Sequence, residues 1–281
     1  MVVLKMQKIE EKNRTDLLIF SIDSYLLRQL LEYAEKEIDK LAFFAEGNIL
    51  KMRQLSPDRS SMIIFELNKG YDPDMLKQLG QKSIEIEDMQ SLLDLLSIYR
   101  KNNSEDLIFR VYKMGEFYHA SIESSRTTIE VSAYCNEYAS HGEPASYGNK
   151  YFINIGMDEL QDLKKFANIL KNLGLETISI KTDMAEGRVC RIIFSGDGSW
   201  SLPISKSSVL ELVFYADDIE TNVKDGIYAK FPIENFMHLI GLKSPALSII
   251  NLLPTKDGGY IFEICYEIDG YFVKGYLAPV E

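Results

Sequence analysis

The sequence predicts an α+β fold made of two copies of one unit, each a β-sheet with two helices on one face. The order strand, long helix, strands, second helix, strands occurs twice, which indicates an internal duplication. Between the copies, residues 134–149 lack periodicity and contain two glycines and one proline. These observations predict an N-terminal extension at 1–15, a first domain at 16–133, a connector at 134–149 and a second domain at 150–281.

The first copy begins with a strand at 16–23 and a helix at 24–41, whose apolar residues recur at intervals of three and four. Residues 68–87 are typical of a hairpin or of two short strands. Asp88 is placed to begin a second helix, which ends near residue 102 and turns Ile98 towards the core. The remaining strands are predicted at 42–45, 49–55, 62–67, 106–113, 116–121 and 127–133.

The second copy repeats this order with a helix at 157–173 and a shorter helix at 232–242. Asp225-Gly226 is a hairpin signal, as are the glycine-containing turns that join the last three strands. The strands are predicted at 151–155, 177–181, 189–194, 202–205, 210–215, 248–253, 260–267 and 271–277.

The composition is that of a globular protein with a large core, since 46% of the residues are hydrophobic. The net charge of −11 and the pI near 4.9 argue against a surface coated with basic residues that grips nucleic acid. Cys135, Cys190 and Cys265 form no CxxC motif, so we expect no disulfide framework, no metal and no cofactor. No apolar run is long enough to cross a membrane, and the N-terminal residues lack a signal-peptide core.

The sequence lacks the common motifs of enzymes. It contains no glycine-rich phosphate loop, no GxSxG and no HExxH. Gly196-Asp197-Gly198 lies between two strands and is more typical of a hairpin turn than of a phosphate nest. Asp88 and Asp217-Asp218 are typical of solvated acids at a helix start and in a loop. We therefore expect no catalytic residues and a protein that acts by binding.

The end of the chain resembles a known family. Tyr276-Leu277-Ala278-Pro279 is similar to the C-terminus of DNA sliding clamps of the proliferating cell nuclear antigen (PCNA) type, which occur in archaea and eukaryotes. The resemblance extends from about residue 16 to residue 281 and includes the duplicated order of elements and the connector. Further landmarks follow in the order of the family: Leu27-Arg28-Gln29-Leu30-Leu31, residues 55–63, Phe194-Ser195-Gly196-Asp197-Gly198 and Ser244-Pro245-Ala246-Leu247.

This resemblance implies a processivity factor. In the family, three two-domain subunits close head to tail into a homotrimeric or heterotrimeric ring around duplex DNA, with helices lining the hole. The expected partners are DNA polymerase, the clamp loader and other replication and repair enzymes that carry a clamp-binding peptide. No membrane is implied, and the location would be the nucleus in a eukaryote or the nucleoid-associated cytoplasm in an archaeon.

The resemblance implies that basic residues on the helix faces point towards DNA, although each could also belong to an ordinary solvated helix face. The helix predicted at 24–41 has a net charge of −1, so the hole would be weakly positive at most. Two alternatives stay open: a subunit of a mixed ring, and a clamp-like scaffold that binds proteins without encircling DNA alone. The candidate DNA-facing residues are Arg28, Lys36, Arg100, Lys101, Lys164, Lys165, Lys171 and Lys243.

The resemblance also implies a partner-peptide pocket between the connector and the C-terminus. Ser60 stands where the family commonly has an apolar residue, and the connector is polar, so we expect a pocket of altered shape and a narrower choice of partners. The pocket residues would be Leu55, Tyr138, Pro245, Tyr276, Ala278 and Pro279. Ring closure would pair two edge strands, one carrying Ile129, Val131 and Ala133 and the other Leu202 and Ile204.

Overall fold

A computed structural model of the protein describes residues 14–34, 41–56, 60–67, 70–86, 89–100, 102–125, 128–136, 143–186, 188–196, 210–223, 226–241, 247–268 and 271–280. The chain divides into two compact units, the first made of residues 1–57 and 64–141 and the second of residues 58–63 and 142–281. The described residues form five helices and mostly antiparallel sheet, which confirms the predicted α+β class.

The first unit places its strands in the order β1-β6-β7-β8-β5-β2-β3-β4, and helices α1 and α3 contact each other. Its elements are β1 (Arg14–Asp23), α1 (Ser24–Ala34), β2 (Leu41–Glu46), β3 (Ile49–Leu55), β4 (Ser61–Leu67), α2 (Pro73–Leu79), β5 (Ser83–Ile86), α3 (Met89–Ser97), β6 (Asp106–Met114), β7 (Phe117–Glu123) and β8 (Thr128–Asn136).

An aromatic cluster forms the centre of the first unit's core. The rings of Phe20 and Phe109 stack with centroids 4.7 Å apart, and the ring of Phe43 lies 5.1 Å from that of Phe20. All three side chains are almost fully buried, because each occupies a core-facing position of an alternating strand. Asp23 fixes the start of α1, since its carboxylate accepts a hydrogen bond from the Leu26 amide at 2.8 Å.

Helix α2 was not expected, and the prediction of a hairpin or two short strands at 68–87 is wrong. Asp72 accepts a hydrogen bond from the amide of Asp74 at 2.9 Å, and Pro73 occupies the first turn, where its missing N–H is not needed. Gly80, at φ 58°, ends the helix. Seven residues bury only two side chains, Leu76 and Leu79, which is too few for an apolar period to stand out.

Helix α3, which corresponds to the second helix predicted for the first unit, is shorter than expected. It ends at Ser97, whereas the sequence predicts an end near residue 102. Ile98 is 50% exposed instead of facing the core, because it follows the last helical residue. Tyr99 is buried in its place and donates a hydrogen bond to the Glu105 carboxylate at 2.6 Å.

The second unit contains two sheets, ordered β17-β16-β15-β9-β13 and β12-β11-β10-β14. Its elements are β9 (Tyr151–Ile155), α4 (Met157–Asn172), β10 (Thr177–Ala185), β11 (Arg188–Gly196), β12 (Leu210–Tyr215), β13 (Glu220–Thr221), β14 (Tyr228–Pro232), α5 (Ile233–Ile240), β15 (Leu247–Pro254), β16 (Tyr260–Ile268) and β17 (Tyr271–Leu277). The strand predicted at 202–205 lies outside the described residues.

Helices α4 and α5 pack against each other and against both sheets of this unit. The ring of Phe236 on α5 lies 4.9 Å from that of Phe262 on β16, and the ring of Phe231 lies 5.7 Å from Phe262. A Cβ atom at Gly196 would lie 2.7 Å from a methyl group of Leu170 on α4, so Gly196 faces this helix at a close contact of sheet and helix. The core therefore lies between the helices and the sheets.

The hairpin predicted at Asp225-Gly226 is wrong. The strands on either side of it, β13 and β14, belong to different sheets and pair with β9 and β10, respectively. The chain therefore passes from one sheet to the other between β13 and β14. The start of the expected connector also differs, since residues 134–136 complete β8 and pair with β5.

Candidate functional site

One face of the first sheet of the second unit is turned away from the helices. A Cβ atom at Gly275 would come within 2.8 Å of Leu239 of α5, so Gly275 faces the helix layer. Because strand residues alternate, Lys274 and Tyr276 face the opposite side, which we call the outer face. Tyr276 pairs with Glu263, and Lys274 pairs with Cys265, so these four side chains are neighbours on the outer face.

Tyr276 was expected in the partner-peptide pocket, and it is only 2% exposed. Its hydroxyl group is buried and makes no well-formed hydrogen bond with another described residue. Burial, followed by the negative charges of Glu263 and Glu143, raises the pKa of the Tyr276 phenol far above its ordinary value. The side chain therefore stays neutral, and it forms the floor of the site.

A buried carboxylate lies beside this floor. Glu263 is 1% exposed and contacts the Lys150 ammonium group and the Asn251 side-chain amide. These two partners compensate for the cost of burying the charge. The Asn251 amide also donates to the Cys265 sulfur at 3.5 Å, and burial, with the Glu263 charge, raises the pKa of that thiol to about 12.

Residues 143–150, which we call the strap, cross the outer face. At one end Glu143 forms an ion pair of 2.7 Å with Lys274 on β17. In the middle the Tyr147 amide donates to the Pro254 carbonyl of β15 at 2.9 Å. At the other end Lys150 pairs with Glu263 on β16. The strap is therefore attached to three neighbouring strands and lies beside Tyr276.

Residues 278–280 form the rim of the site. The Ala278 amide donates to the Ser60 carbonyl at 2.8 Å, and the Val280 amide donates to the Lys230 carbonyl at 2.9 Å. The Ser60 hydroxyl in turn accepts a hydrogen bond from Asn235 on α5 at 2.9 Å. Ala278 and Pro279 are half-buried.

The rest of the expected pocket is described only in part. Leu55 is the last residue of β3, in the first unit. Tyr138 and Pro245 lie outside the described residues. Of the six predicted pocket residues, the structure therefore brings Tyr276, Ala278 and Pro279 together.

Most of the candidate DNA-facing cations on α4 are engaged within the chain. Lys165 forms an ion pair with Asp162 at 3.0 Å, and Lys171 forms one with Glu234 of α5 at 3.0 Å. Lys164 is half-buried, and desolvation lowers the pKa of its ammonium group. These contacts neutralise much of the positive charge expected on this helix face.

The cations of the first unit differ in their surroundings. The Arg28 guanidinium donates to the backbone carbonyls of Ser97 and Tyr99, at 3.3 and 3.0 Å, and so caps the C-terminal end of α3. Arg100 is exposed. Lys36, Lys101 and Lys243 lie outside the described residues.

The helices as a group carry little positive charge. Residues 24–34 of α1 and residues 157–172 of α4 each contain equal numbers of acidic and basic side chains. Residues 89–97 of α3 and 233–240 of α5 each contain one acidic side chain and neither lysine nor arginine. The described parts of these four helices therefore present no net positive charge.

The first of the two predicted edge strands is open along part of its length. Residues 128–132 of β8 pair with β7 and with no other described strand. This stretch includes Ile129 and Val131, whereas Ala133 is paired with Tyr118 on one side and with Ile86 on the other. The expectation that Ala133 belongs to an open edge is therefore wrong, and Leu202 and Ile204 lie outside the described residues.

The ion pairs of the strap were not foreseen from the sequence. Glu143 and Lys274 are 131 residues apart, and Glu263 alternates with apolar neighbours as a solvent-facing strand residue would. No local pattern marks these residues as partners.

Among the described residues, no helix has the length and apolar character needed to span a bilayer, and no cluster of His, Cys, Asp or Glu could hold a metal ion.

Comparisons with known proteins identify the fold. No protein-family model matches the sequence, and a search of curated proteins finds no match. Among solved structures, PCNA from Entamoeba histolytica aligns with a TM-score of 0.63 at 13% identity, over 95% of this chain and 100% of its own. PCNA from Thermococcus kodakaraensis aligns with a TM-score of 0.64 at 15% identity, over 94% of this chain and 100% of its own.

A third similar structure contains the C-terminal region of FEN-1 bound to A. fulgidus PCNA. It aligns with a TM-score of 0.62 at 14% identity and covers 94% of this chain and 98% of that chain. These likenesses extend over nearly the whole chain. The resemblance to PCNA-type clamps is therefore confirmed at the level of the fold, and the protein has the two-domain α+β fold of the PCNA sliding clamps.

Proposed function

We propose that this protein is a sliding-clamp subunit, three copies of which close into a ring around duplex DNA and tether DNA polymerase and other replication and repair enzymes. The observation that carries the proposal is the clamp fold, which matches PCNA structures over 94–95% of the chain. A protein that acts by encirclement needs few phosphate contacts, because topology rather than charge retains it on DNA. The low charge of the helices is compatible with that role.

The open edge of β8 supports self-assembly. Unpaired backbone groups along an edge strand form a template for a strand from another chain. Residues 128–132 offer such an edge, and Ile129 and Val131 lie on it. We propose this stretch as one half of the contact between subunits, with residues 202–204 in the other half.

We further propose that partner enzymes bind at the rim formed by Ala278 and Pro279, next to Tyr276. These two residues have half-buried apolar side chains and directly follow the buried end of β17, Gly275–Leu277. Apolar anchors of a short peptide segment bind well at such places, and a few of them supply most of the binding energy. The similar PCNA structure that contains the C-terminal region of FEN-1 is a precedent for a bound peptide region.

The rim is tested by Ala278→Arg in a processive primer-extension assay with the polymerase of the same organism. The bulky charged side chain should reduce stimulation about tenfold or more, since loss of about 1.4 kcal/mol of binding weakens affinity tenfold. The backbone hydrogen bond of residue 278 to Ser60 remains available, so the fold should be retained.

The matched control is Phe272→Arg. Phe272 is 41% exposed and lies on the same strand, six residues away, which is about 20 Å along a strand. Its replacement should leave stimulation unchanged. Equal stimulation by the Ala278→Arg variant and the unmodified protein would exclude the rim as the binding site.

A second candidate function is a mixed ring or a scaffold that does not encircle DNA alone. The ion pairs Lys165–Asp162 and Lys171–Glu234 favour it, because they leave α4 and α5 without a positive face. In a mixed ring, the other subunits would supply positive charge to the hole. The two candidates differ in whether the purified protein forms a trimer by itself.

A further inference from the structure

We propose that the strap is an electrostatic latch that covers the Tyr276 side of the partner site and opens at its Glu143 end. This inference rests on the proposed function only in assigning the covered surface to partner binding. The latch itself is a property of the free protein and can be measured without DNA or a partner.

The two ends of the strap are attached in different ways. At the Lys150 end, the Lys150 carbonyl accepts a hydrogen bond from Asn222 at 3.0 Å, and the chain continues directly into β9. Asn222 also accepts a hydrogen bond from the Phe152 amide at 2.7 Å. The Lys150 end is thus continuous with the sheet, and the Tyr147–Pro254 backbone hydrogen bond reinforces it.

The Glu143 end is attached by side chains that face solvent in part. The side chains of Lys274 and Glu143 keep 24% and 33% of their surface exposed. An ion pair in this position is weakened by salt and competes with water for both charges. We therefore place the hinge near Tyr147 and the opening end at Glu143.

The buried groups next to the strap are compatible with a surface that is covered in the closed state and exposed in the open state. The Tyr276 hydroxyl is buried without a well-formed hydrogen bond to another described residue. This hydroxyl lies near the carboxylates of Glu263 and Glu143 without a well-aligned hydrogen bond, so it is costly to bury and gains a better partner when the site opens to water or to a peptide. Opening at Glu143 would uncover this hydroxyl and release the Lys274 ammonium group two residues away.

Cys265 reports the opening without altering the latch. Its side chain faces the same side as Lys274, with which it pairs, and contacts Asn251 next to Glu263. The Cys265 side chain is only partly exposed, and burial with the Glu263 charge raises the pKa of its thiol to about 12, so the thiol reacts slowly at pH 8 in the described conformation. With Cys135→Ser and Cys190→Ser, the rate of reaction with a thiol reagent measures the fraction of open molecules.

The decisive variant is Glu143→Gln, which removes the charge and keeps the size of the side chain. Loss of a partly exposed ion pair should raise the labelling rate of Cys265 about fivefold at low salt. In the chain that retains Glu143, raising the salt to about 1 M, where the Debye length is about 3 Å, should raise the rate similarly. The Glu143→Gln variant should show little further dependence on salt.

Charge reversal at residue 143 extends the test. Glu143→Lys should raise the labelling rate at least as far as Glu143→Gln, because it places a second positive charge beside Lys274. Lys274 itself is kept, since it pairs with Cys265 and its charge lowers the pKa of that thiol. Lys181→Gln is the matched control. It removes a comparably exposed ion pair with Glu211, of 2.8 Å, in the second sheet of the same unit and should not change the rate.

Unchanged labelling of Cys265 in both Glu143→Gln and Glu143→Lys would overturn the latch. Loss of the latch would leave the clamp proposal standing, since ring formation uses other residues. If the latch opens as expected but the protein stimulates no polymerase, the latch is supported and the assignment of the covered surface to partner binding is contradicted.

Discussion

At the scale of single residues, Tyr276 shows that a resemblance can single out a residue without describing its environment. The sequence places Tyr276 in the partner-binding region, and the structure places it beside Ala278 and Pro279 at the end of β17. The resemblance does not indicate that the side chain is 2% exposed beneath a strap. The strap is attached through Glu143 and Lys150, which are distant from Tyr276 in sequence and have no local signature.

This burial makes two substitutions of Tyr276 behave differently. Tyr276→Phe removes a hydroxyl that lacks a well-formed hydrogen bond among the described residues, so the free energy of unfolding should change by less than about 1 kcal/mol. Tyr276→Ala leaves a cavity and should cost about 3–5 kcal/mol. Urea unfolding of both variants measures the difference.

A loss of more than about 2 kcal/mol in Tyr276→Phe would show that the hydroxyl has a strong partner. Because Tyr276→Ala is expected to destabilise the second unit, it is not a clean probe of partner binding. The half-buried residue Ala278 is better suited to that purpose.

At the scale of elements, the sequence predicts long and regular segments well. Strands β3, β9, β12 and β17 have the predicted bounds, because apolar and aromatic residues make up more than half of each segment. Helix α2 is missed because it is only seven residues long, although Asp72 and Pro73 provide a local start signal. The failure at Asp225-Gly226 has another cause, since the pairing of β13 and β14 with different strands is set by tertiary structure.

The hydrogen bonds of Arg28 at the end of α3 change the interpretation of this residue. The resemblance assigns this residue to DNA, whereas its guanidinium donates to the carbonyls of Ser97 and Tyr99 and links α1 to the end of α3. Hydrogen bonds from a cation to the unpaired carbonyls at a helix end stabilise the helix. Arg28 therefore has a structural role, whether or not it also approaches DNA.

Arg28→Ala should lower the free energy of unfolding by about 1–2 kcal/mol, through loss of two charge-assisted hydrogen bonds. Thermal or urea unfolding measures this change. Lys77→Ala removes a solvent-exposed cation from α2 of the same unit, where it pairs with Asp74, and should have no measurable effect. Equal stability of the Arg28→Ala variant and the unmodified protein would contradict a capping role.

At the scale of the whole molecule, charge separates the possible assemblies. The chain carries a net charge of −11, and the described parts of α1, α3, α4 and α5 contribute no net positive charge. The composition of the sequence already indicated a weakly charged hole. The structure adds that Lys165 and Lys171 are paired with acidic neighbours, which the sequence could not show because Lys171 and Glu234 lie on different helices.

A ring that slides on DNA tolerates weak charge, whereas a protein that binds DNA without encircling it depends on phosphate contacts. The clamp fold and the low charge are therefore consistent with each other only if a ring forms or if DNA is not bound directly. Self-assembly decides between these possibilities.

The molar mass of the purified protein in solution, measured by light scattering across a concentration series, tests the self-closing ring most directly. A ring of three copies has a mass of about 97 kDa, three times the chain mass of 32.2 kDa. A constant mass of about 97 kDa is the predicted result. A mass that stays at 32.2 kDa at every concentration would contradict the self-closing ring and favour a mixed ring or a scaffold that does not encircle DNA alone.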